Sequence, residues 1–310
     1  MAVEDMLNGK TEQTVQKENN EKPLVSVGIP VRDGAKSLRA ALDSVIYQTY
    51  QNLEIIISDN CSSDETKEIC LEYAEQDNRI TYIRQEELLS AIENFRFVYD
   101  KSHGKYFMWA AHDDIRDDNY IETLLKGFGT NPLASIVFSD YVRFNDYSNL
   151  HNTDAIAEEY LKNYSQLKDV SFLKKHLKQQ NMLFGHIYGL INSNYLYNYP
   201  WFDIESGPDV PLTHWLLCYG DFIYVSGTTF YYYHHPSKYA KSIKASQKKI
   251  DYFLMKIYHA WICAFSIKKA ESNNTRYRNI FLIFIVIYSN LNINIFKKYI
   301  KKFFKHEKLT

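Results

Sequence analysis

Residues 24–30 read L-V-S-V-G-I-P and residues 53–57 read L-E-I-I-I. Both are short apolar runs rich in β-branched residues, the first closed by Pro30, and both predict buried strands. Between them, within 37–47, apolar residues recur at Leu38, Ala41, Leu42, Val45 and Ile46, the spacing of a helix with one buried face. Outward from this core the alternation continues. The polar turn S-D-N-C-S-S-D at 58–64 leads into a helix, capped by Ser63 or Asp64, that runs to about Ala74. Ile80–Ile83 predicts a third strand, Leu88–Tyr99 a helix, and K-Y-F-M-W-A at 105–110 a fourth strand. A helix near Tyr120–Phe128 and a strand over Ser135–Ser139 follow. Strands that alternate with helices predict an α/β fold, a mainly parallel sheet covered on both faces.

In such sheets ligands bind beyond the carboxyl ends of the strands. Three polar clusters fall at those ends: Val31–Asp33, Asp59–Asn60 and Asp113–Asp114. Beyond Asp140 the alternation weakens. Residues 145–154 read as loop, 170–180 as helix, and 182–191, with Gly185 and Gly189, as a strand close to a ligand. A helix over 209–219 and two strands, 222–225 and 229–233, complete this half. The expected layout is a disordered polar tail over 1–22, a nucleotide-binding half over 23–140, an acceptor half over 141–240, and a helical, basic-aromatic C-terminal region over 241–310. The tail has no apolar h-region and does not read as a signal peptide. I-F-L-I-F-I-V-I-Y at 280–288 is strongly apolar but far short of the ~20 residues that span a bilayer.

Composition narrows the classes. The chain has 310 residues, 45% hydrophobic and 24% charged, which excludes a wholly disordered protein. A formal net charge of −1 gives no electrostatic case for nucleic acid as a partner. The 26 tyrosines against 11 glycines exclude collagen-like and Gly-rich low-complexity chains. Cys61, Cys70, Cys218 and Cys263 form no C-x-x-C pair, so a reduced, cytoplasmic compartment without structural zinc is expected. After the first strand there is neither the G-x-G-x-x-G of a dinucleotide enzyme nor the G-x-x-x-x-G-K-[ST] of a P-loop enzyme, because Gly34 stands alone after Asp33.

The run from V-S-V-G-I-P-V-R-D through S-V-I-Y-Q-T-Y to I-I-I-S-D-N-C-S-S-D-E-T closely resembles the opening of family 2 glycosyltransferases, which have the GT-A fold. G-K-Y-F-M-W-A-A-H-D-D-I at 104–115 resembles that family's strand ending in an acidic pair. I-Y-G-L-I-N at 187–192, the Gly207-Pro208-Asp209 turn and Y-Y-Y-H-H-P at 231–236 resemble its acceptor half. The resemblance covers about Pro23 to Lys238 and implies a Rossmann-like GT-A domain with a C-terminal helical appendage. It also implies an inverting sugar transferase with a nucleotide-sugar donor, UDP-linked by preference, and a glycan or lipid-linked acceptor.

Such a reaction must neutralise a departing diphosphate, which Mn²⁺ or Mg²⁺ does as a Lewis acid bound by carboxylate oxygens. By resemblance Asp114 touches the metal, Asp113 the metal or the ribose, and His235, directly before Pro236, reaches the metal or diphosphate. On spacing alone the acidic pair reads equally well as the N-cap of the helix at Tyr120. Relatives with D-x-D-D carry an acid where this chain has Ala111. Pro30, Arg32 and Asp33 occupy the family's P-x-Y-N, with Arg32 in place of the stacking aromatic. By resemblance Asp59 accepts from a base ring N–H, commonly uracil N3–H; its alternative is a turn-stabilising Asp. Arg79 and Asn94 match positions near the base and the donor. Asp209, with Glu205 in reserve, matches the general base that deprotonates the acceptor hydroxyl.

F-K-K-Y-I-K-K-F-F-K at 296–305 alternates cations with aromatics. It suits either the inner face of the plasma membrane, with Lys on anionic headgroups, or a helix packed on the catalytic domain with a solvated Lys face. Two readings from different classes stand: a metal-dependent transferase of surface polysaccharide or glycolipid synthesis, and a non-catalytic sugar-nucleotide or glycan-binding relative of the same fold.

Overall fold

A computed structural model describes residues 22–147, 186–197, 199, 201, 212–213, 215–216 and 219–233. The described strands are β1 (Val25–Val31), β2 (Leu53–Asp59), β3 (Ile80–Arg84), β4 (Tyr106–Trp109), β5 (Ile115–Arg116), β6 (Ala134–Phe144), β7 (Leu190–Asn192) and β8 (Asp221–Tyr233). The described helices are α1 (Leu38–Ile46), α2 (Thr66–Gln76), α3 (Ala91–Asp100) and α4 (Tyr120–Thr130). The strands form one mixed sheet in the order β3-β2-β1-β4-β7-β6-β8-β5. The four strands of the N-terminal half are mutually parallel. β7 runs antiparallel to β4 and β6, and β8 runs parallel to β6.

Both faces of the sheet are covered, as the uninterrupted apolar strands require. On one face Val25, Val27, Ile29, Ile55 and Ile57 pack with Leu38, Leu42 and Val45 of α1, Ile69 and Cys70 of α2, and Ile121 and Leu124 of α4. On the other, Phe107, Trp109, Ile136 and Phe138 pack with Val98 of α3 and with Trp215 and Leu216. A Cβ on Gly28 would lie 2.6 Å from Val98 Cγ2, so α3 can sit flat on β1 only because position 28 carries no side chain.

Gln48, in the Q-T-Y after α1, explains how the first helix is tied to the acidic segment. Its Nε2 donates to the carbonyls of Ser44 and Asp117, at 2.8 and 2.6 Å, and its Oε1 accepts from Ile121 N–H at 2.8 Å. Thr49 N–H donates to Asp118 O at 2.7 Å. This buried amide therefore pins the start of α4, and with it the turn that follows the acidic pair, onto the end of α1.

Three expectations are corrected. α3 begins at Ala91 rather than Leu88, because Ser90 and Glu93 form a reciprocal capping box and leave Leu88 exposed before it. The strands expected at 222–225 and 229–233 are one continuous strand, β8. Its register against β6 jumps between Phe138–Tyr224 and Asp140–Thr229, and Gly227 supplies the φ of +93° that this irregularity needs. In 182–191 the described strand starts only at Leu190, after a 3₁₀ turn at His186–Tyr188. The helix expected over 209–219 is helical at its described positions, Leu212, Thr213, Trp215, Leu216 and Tyr219. Residues 170–180, 280–288 and 296–305 lie outside the described residues, as do all but Lys22 of the 1–22 tail. Among the described residues no helix is long and apolar enough to cross a membrane.

Candidate active site

The strand register sets the site. Val31 stands opposite Asp59, and Asp59 opposite Arg84, so the carboxyl ends of β1, β2 and β3 finish level. The loop that leaves β1 is then stapled to the loop that leaves β2. Asp33 N–H donates to Ser62 Oγ at 2.9 Å, and Asp33 Oδ1 accepts from Ser63 N–H at 2.7 Å. Gly34 N–H donates to Thr66 Oγ1 at 2.9 Å, and Ala35 N–H to Asp64 Oδ2 at 3.0 Å. The S-S-D-E-T run thus serves as a row of acceptors for the first loop's backbone. Asp33 itself sits at φ +49°, a left-handed conformation that this stapling holds in place. Burial alone would raise the Asp64 carboxyl, but the Thr66 hydroxyl and the N–H groups of Ala35 and Thr66 outweigh it and hold the group below its ordinary range.

Asp59 is fully buried. Its Oδ1 accepts from Ser62 N–H at 2.8 Å, and its Oδ2 accepts from Tyr82 O–H at 2.9 Å and Arg84 Nη1 at 2.8 Å. Asn60 holds the chain before α3, donating to Leu89 O at 2.9 Å and accepting from Leu89 N–H at 2.8 Å. Asn94 is buried and exchanges hydrogen bonds with Ser58, through Ser58 Oγ to Asn94 Oδ1 at 2.5 Å and Asn94 Nδ2 to Ser58 O at 3.2 Å. Pro30 lies within β1 opposite Ser58. Arg32 is half exposed at the rim, 3.6 Å from the Asp33 carboxylate.

Arg79 stands apart from these residues. It precedes the amino end of β3, where its guanidinium binds Asp77 at 2.6 Å, Ile46 O at 3.0 Å and Gln51 Oε1 at 2.9 Å. The chain therefore places it at the opposite end of the sheet, as a clamp between α1 and β3.

The turn after β4 brings the acidic pair alongside. A Cβ on Gly34 would lie 2.4 Å from His112 Cδ2, so the β1 loop and the β4 turn are in direct contact. Asp114 is fully buried, and its Oδ1 accepts from Tyr233 N–H at 2.9 Å. The Asp113 carboxylate is less deeply buried, with 15% of its side chain exposed and His112 Nδ1 at 3.8 Å. Beneath the pair lies Arg116, only 3% exposed. Its Nη2 donates to Trp109 O at 2.9 Å, and its guanidinium sits 4.9 Å from the Phe230 ring centroid. Burial lowers its pKa, while Tyr120 and the charge of Asp114 pull it back up.

Three polar clusters expected from the sequence thus meet at one edge of the sheet. Asp209, Glu205 and His235 lie outside the described residues. Among the described residues no group of three or more His, Cys, Asp or Glu could cage a metal by itself. The donor set present, a pair of hard carboxylates of which Asp113 keeps exposed side-chain surface, fits a divalent cation that takes one or two protein oxygens and fills its shell from substrate phosphates. Reading the sequence alone missed Arg84, Arg116, Tyr147 and Tyr233. A single cation at the end of an expected strand was the available signal for Arg84, and the Y-Y-Y-H-H-P run for Tyr233; Tyr147 gave none, being one tyrosine among 26.

The profile of Glycosyl transferase family 2 matches residues 26–203. Glycosyltransferase GlyA of Streptococcus pneumoniae is 34% identical over 160 residues, which cover 51% of this chain and 22% of GlyA. The chain spans half or less of the length of the curated relatives it matches. Among solved structures, S. aureus TarS 1–349 aligns with a TM-score of 0.59 at 13% identity, over 84% of this chain and 70% of TarS 1–349. The mannosyltransferase PcManGT from Pyrobaculum calidifontis, in complex with GDP-Man and Mn²⁺, aligns with a TM-score of 0.55 at 13% identity, over 88% of this chain and 89% of its own. These likenesses establish the GT-A fold.

Proposed function

The chain belongs to glycosyl transferase family 2, and from that premise we propose that it transfers a sugar, with inversion, from a nucleoside-diphosphate donor to a glycan or lipid-linked acceptor. The observation that carries this reading is the convergence of three strand ends on one crevice. There the stapled β1 and β2 loops face a carboxylate turn from β4. Support for a UDP-linked donor comes from TarS, which has been crystallised with UDP and with UDP-GlcNAc.

In this reading the nucleoside lies against the β1 and β2 loops, with Pro30, Arg32 and Asp33 on one side and the Asp59–Arg84 pair behind. Asp59 has both oxygens engaged by the protein. Its contribution is to hold Arg84, whose Nη2 donates to the Ser62 carbonyl at 2.8 Å, and so to shape the base site. Asn94 acts at one remove, by fixing Ser58 at the end of β2. Arg79 contributes to the fold, away from the donor.

Mn²⁺ or Mg²⁺, when bound, supplies Lewis-acid stabilisation of the diphosphate leaving group. Asp113 is the side chain we assign to hold it, because it keeps exposed side-chain surface, whereas Asp114 is fully buried with its Oδ1 on Tyr233 N–H. Asp114 then orients the turn, and Arg116 offsets its buried charge. Asp209, with Glu205 in reserve, takes the acceptor proton, and His235 reaches the metal or the diphosphate. The 296–305 stretch holds the enzyme near a lipid-linked acceptor at the membrane surface.

Thermal-shift titration with UDP, GDP and CDP, each with and without Mn²⁺, followed by transfer assays from the stabilising donor, tests the reading. Stabilisation that needs both nucleotide and metal, with turnover, is expected. Nucleotide binding without turnover on any acceptor identifies the non-catalytic alternative, and no binding removes both.

A further inference from the structure

Two tyrosines grip the acidic turn from the acceptor side. Tyr147, three residues past β6, donates from its hydroxyl to the backbone carbonyl of Asp113 at 2.7 Å. Tyr233, the last residue of β8, donates from its backbone N–H to Asp114 Oδ1 at 2.9 Å. Their rings stack at 5.1 Å between centroids and 16° between planes. Phe144 meets both edge-on, at 5.0 and 5.3 Å. Burial, and next the charge of Asp113, push the Tyr147 phenol far above its ordinary range, so it keeps its proton and donates. Its hydroxyl also meets the side chain of Ser37, at the start of α1.

We propose that Tyr147 is a positioning residue for the transfer site: through the stack on Tyr233 and the bond to the Asp113 carbonyl, it fixes the carboxylate turn in the orientation that receives a cation-bound diphosphate. The Asp113 carbonyl belongs to the planar peptide that joins the two aspartates, so a bond to it fixes the backbone from which both carboxylates project. The clamp also links the ends of β6 and β8 to the donor side of the crevice. This rests on the transferase reading above, since only that reading gives the turn a diphosphate to meet.

Tyr147→Phe tests it, because the ring and its stack remain and only the hydroxyl is lost. Amide hydrogen exchange of the ligand-free protein should speed up in the peptide spanning 110–116. Affinity for UDP in the presence of Mn²⁺ should fall roughly three- to tenfold, the range of one neutral hydrogen bond. Affinity for UDP in chelator should stay unchanged. Unchanged exchange overturns the clamp. So does a loss of UDP affinity that is equal with and without Mn²⁺ and follows a lowered thermal midpoint, which is what a merely structural contact would give. Wild-type protein that binds Mn²⁺ and UDP normally, with Tyr147→Phe indistinguishable from it, sinks the clamp alone. Wild-type protein that binds no nucleoside diphosphate sinks the transferase reading and the clamp's role with it.

Discussion

Arg84 Nη1 donates to Asp59 Oδ2 at 2.8 Å, joining the carboxyl ends of two adjacent parallel strands. The same carboxylate receives Tyr82 O–H on Oδ2 and Ser62 N–H on Oδ1. Every proton around Asp59 therefore points inward, and an amide would turn its own donor against one of them. Asp59→Asn should be destabilising by about 2–3 kcal/mol, as for loss of hydrogen bonds to a buried charge, and should weaken donor binding with it. Urea denaturation of the variant checks this; wild-type stability would mean the carboxylate is not the anchor of the β2 loop.

The contact between β1 and α3 makes a second expectation. A Cβ at position 28 would meet Val98 Cγ2 at 2.6 Å and Phe107 Cζ at 2.8 Å, both on fully buried side chains. Gly28→Ala should cost about 1–3 kcal/mol by overpacking. Val98→Ala in the same chain should recover part of that cost, because it empties the space the new methyl needs. A double-mutant cycle by denaturant melts measures the coupling; strict additivity would mean α3 does not rest on Gly28.

The N-terminal half was legible because its strands are apolar throughout and its turns carry polar clusters at the ends the topology makes functional. The apolar runs 24–30 and 53–57 announce strands that the structure places at Val25–Val31 and Leu53–Asp59. The strand ends at Asp33, Asp59 and Asp113 follow from alternation of strand and helix. What each motif residue does was not legible. The S-S-D-E-T run looks like a helix start, yet the N-cap of α2 is Glu65, and Ser62, Asp64 and Thr66 bind the backbone of another loop. Arg79 looks like a ligand group, yet one step before β3 it is at the wrong end of the sheet. The first depends on contacts about 30 residues apart in sequence, which periodicity does not encode; the second follows from the strand that starts at Ile80. The β8 irregularity at Gly227 read as a break between strands because a bulge and a turn share the same local residues.

Asp64 sets a pH dependence. Its carboxyl is held below the ordinary value in the folded chain. Its contribution to stability is therefore complete above the unfolded value of about 3.9 and is lost as pH falls through the lower folded value. Asp64→Asn should be less stable than wild type at neutral pH, and the gap should close as both are acidified below that window. Urea midpoints at pH 7 and at progressively lower pH follow it; a gap that stays constant would exclude the carboxylate as its source.

Arg116 and Asp114 are opposite charges buried at the acidic turn. Arg116→Met removes the cation and leaves Asp114 in a low-dielectric site, at a cost of about 3–5 kcal/mol. In an Asp114→Asn background the same substitution should cost much less, since no buried charge then remains to offset. Equal costs in the two backgrounds would show that Arg116 acts only through Trp109 O and the Phe230 ring.

The unequal burial of the acidic pair separates two roles that adjacent aspartates would otherwise share. Asp113 has side-chain surface at the crevice, while Asp114 has none and binds Tyr233 N–H. Asp113→Ala should leave the thermal midpoint near wild type, abolish the Mn²⁺-dependent part of UDP binding, and lower transfer by 100-fold or more, on the order of the loss when one electrostatic stabiliser of a leaving group is removed. Asp114→Ala should lose activity together with stability, because it strands the Tyr233 N–H and the Arg116 cation in the interior. Measuring midpoint and Mn²⁺-dependent affinity on the same two variants distinguishes them. If Asp114→Ala kept its midpoint while Asp113→Ala melted early, the cation-facing role would pass from Asp113 to its neighbour.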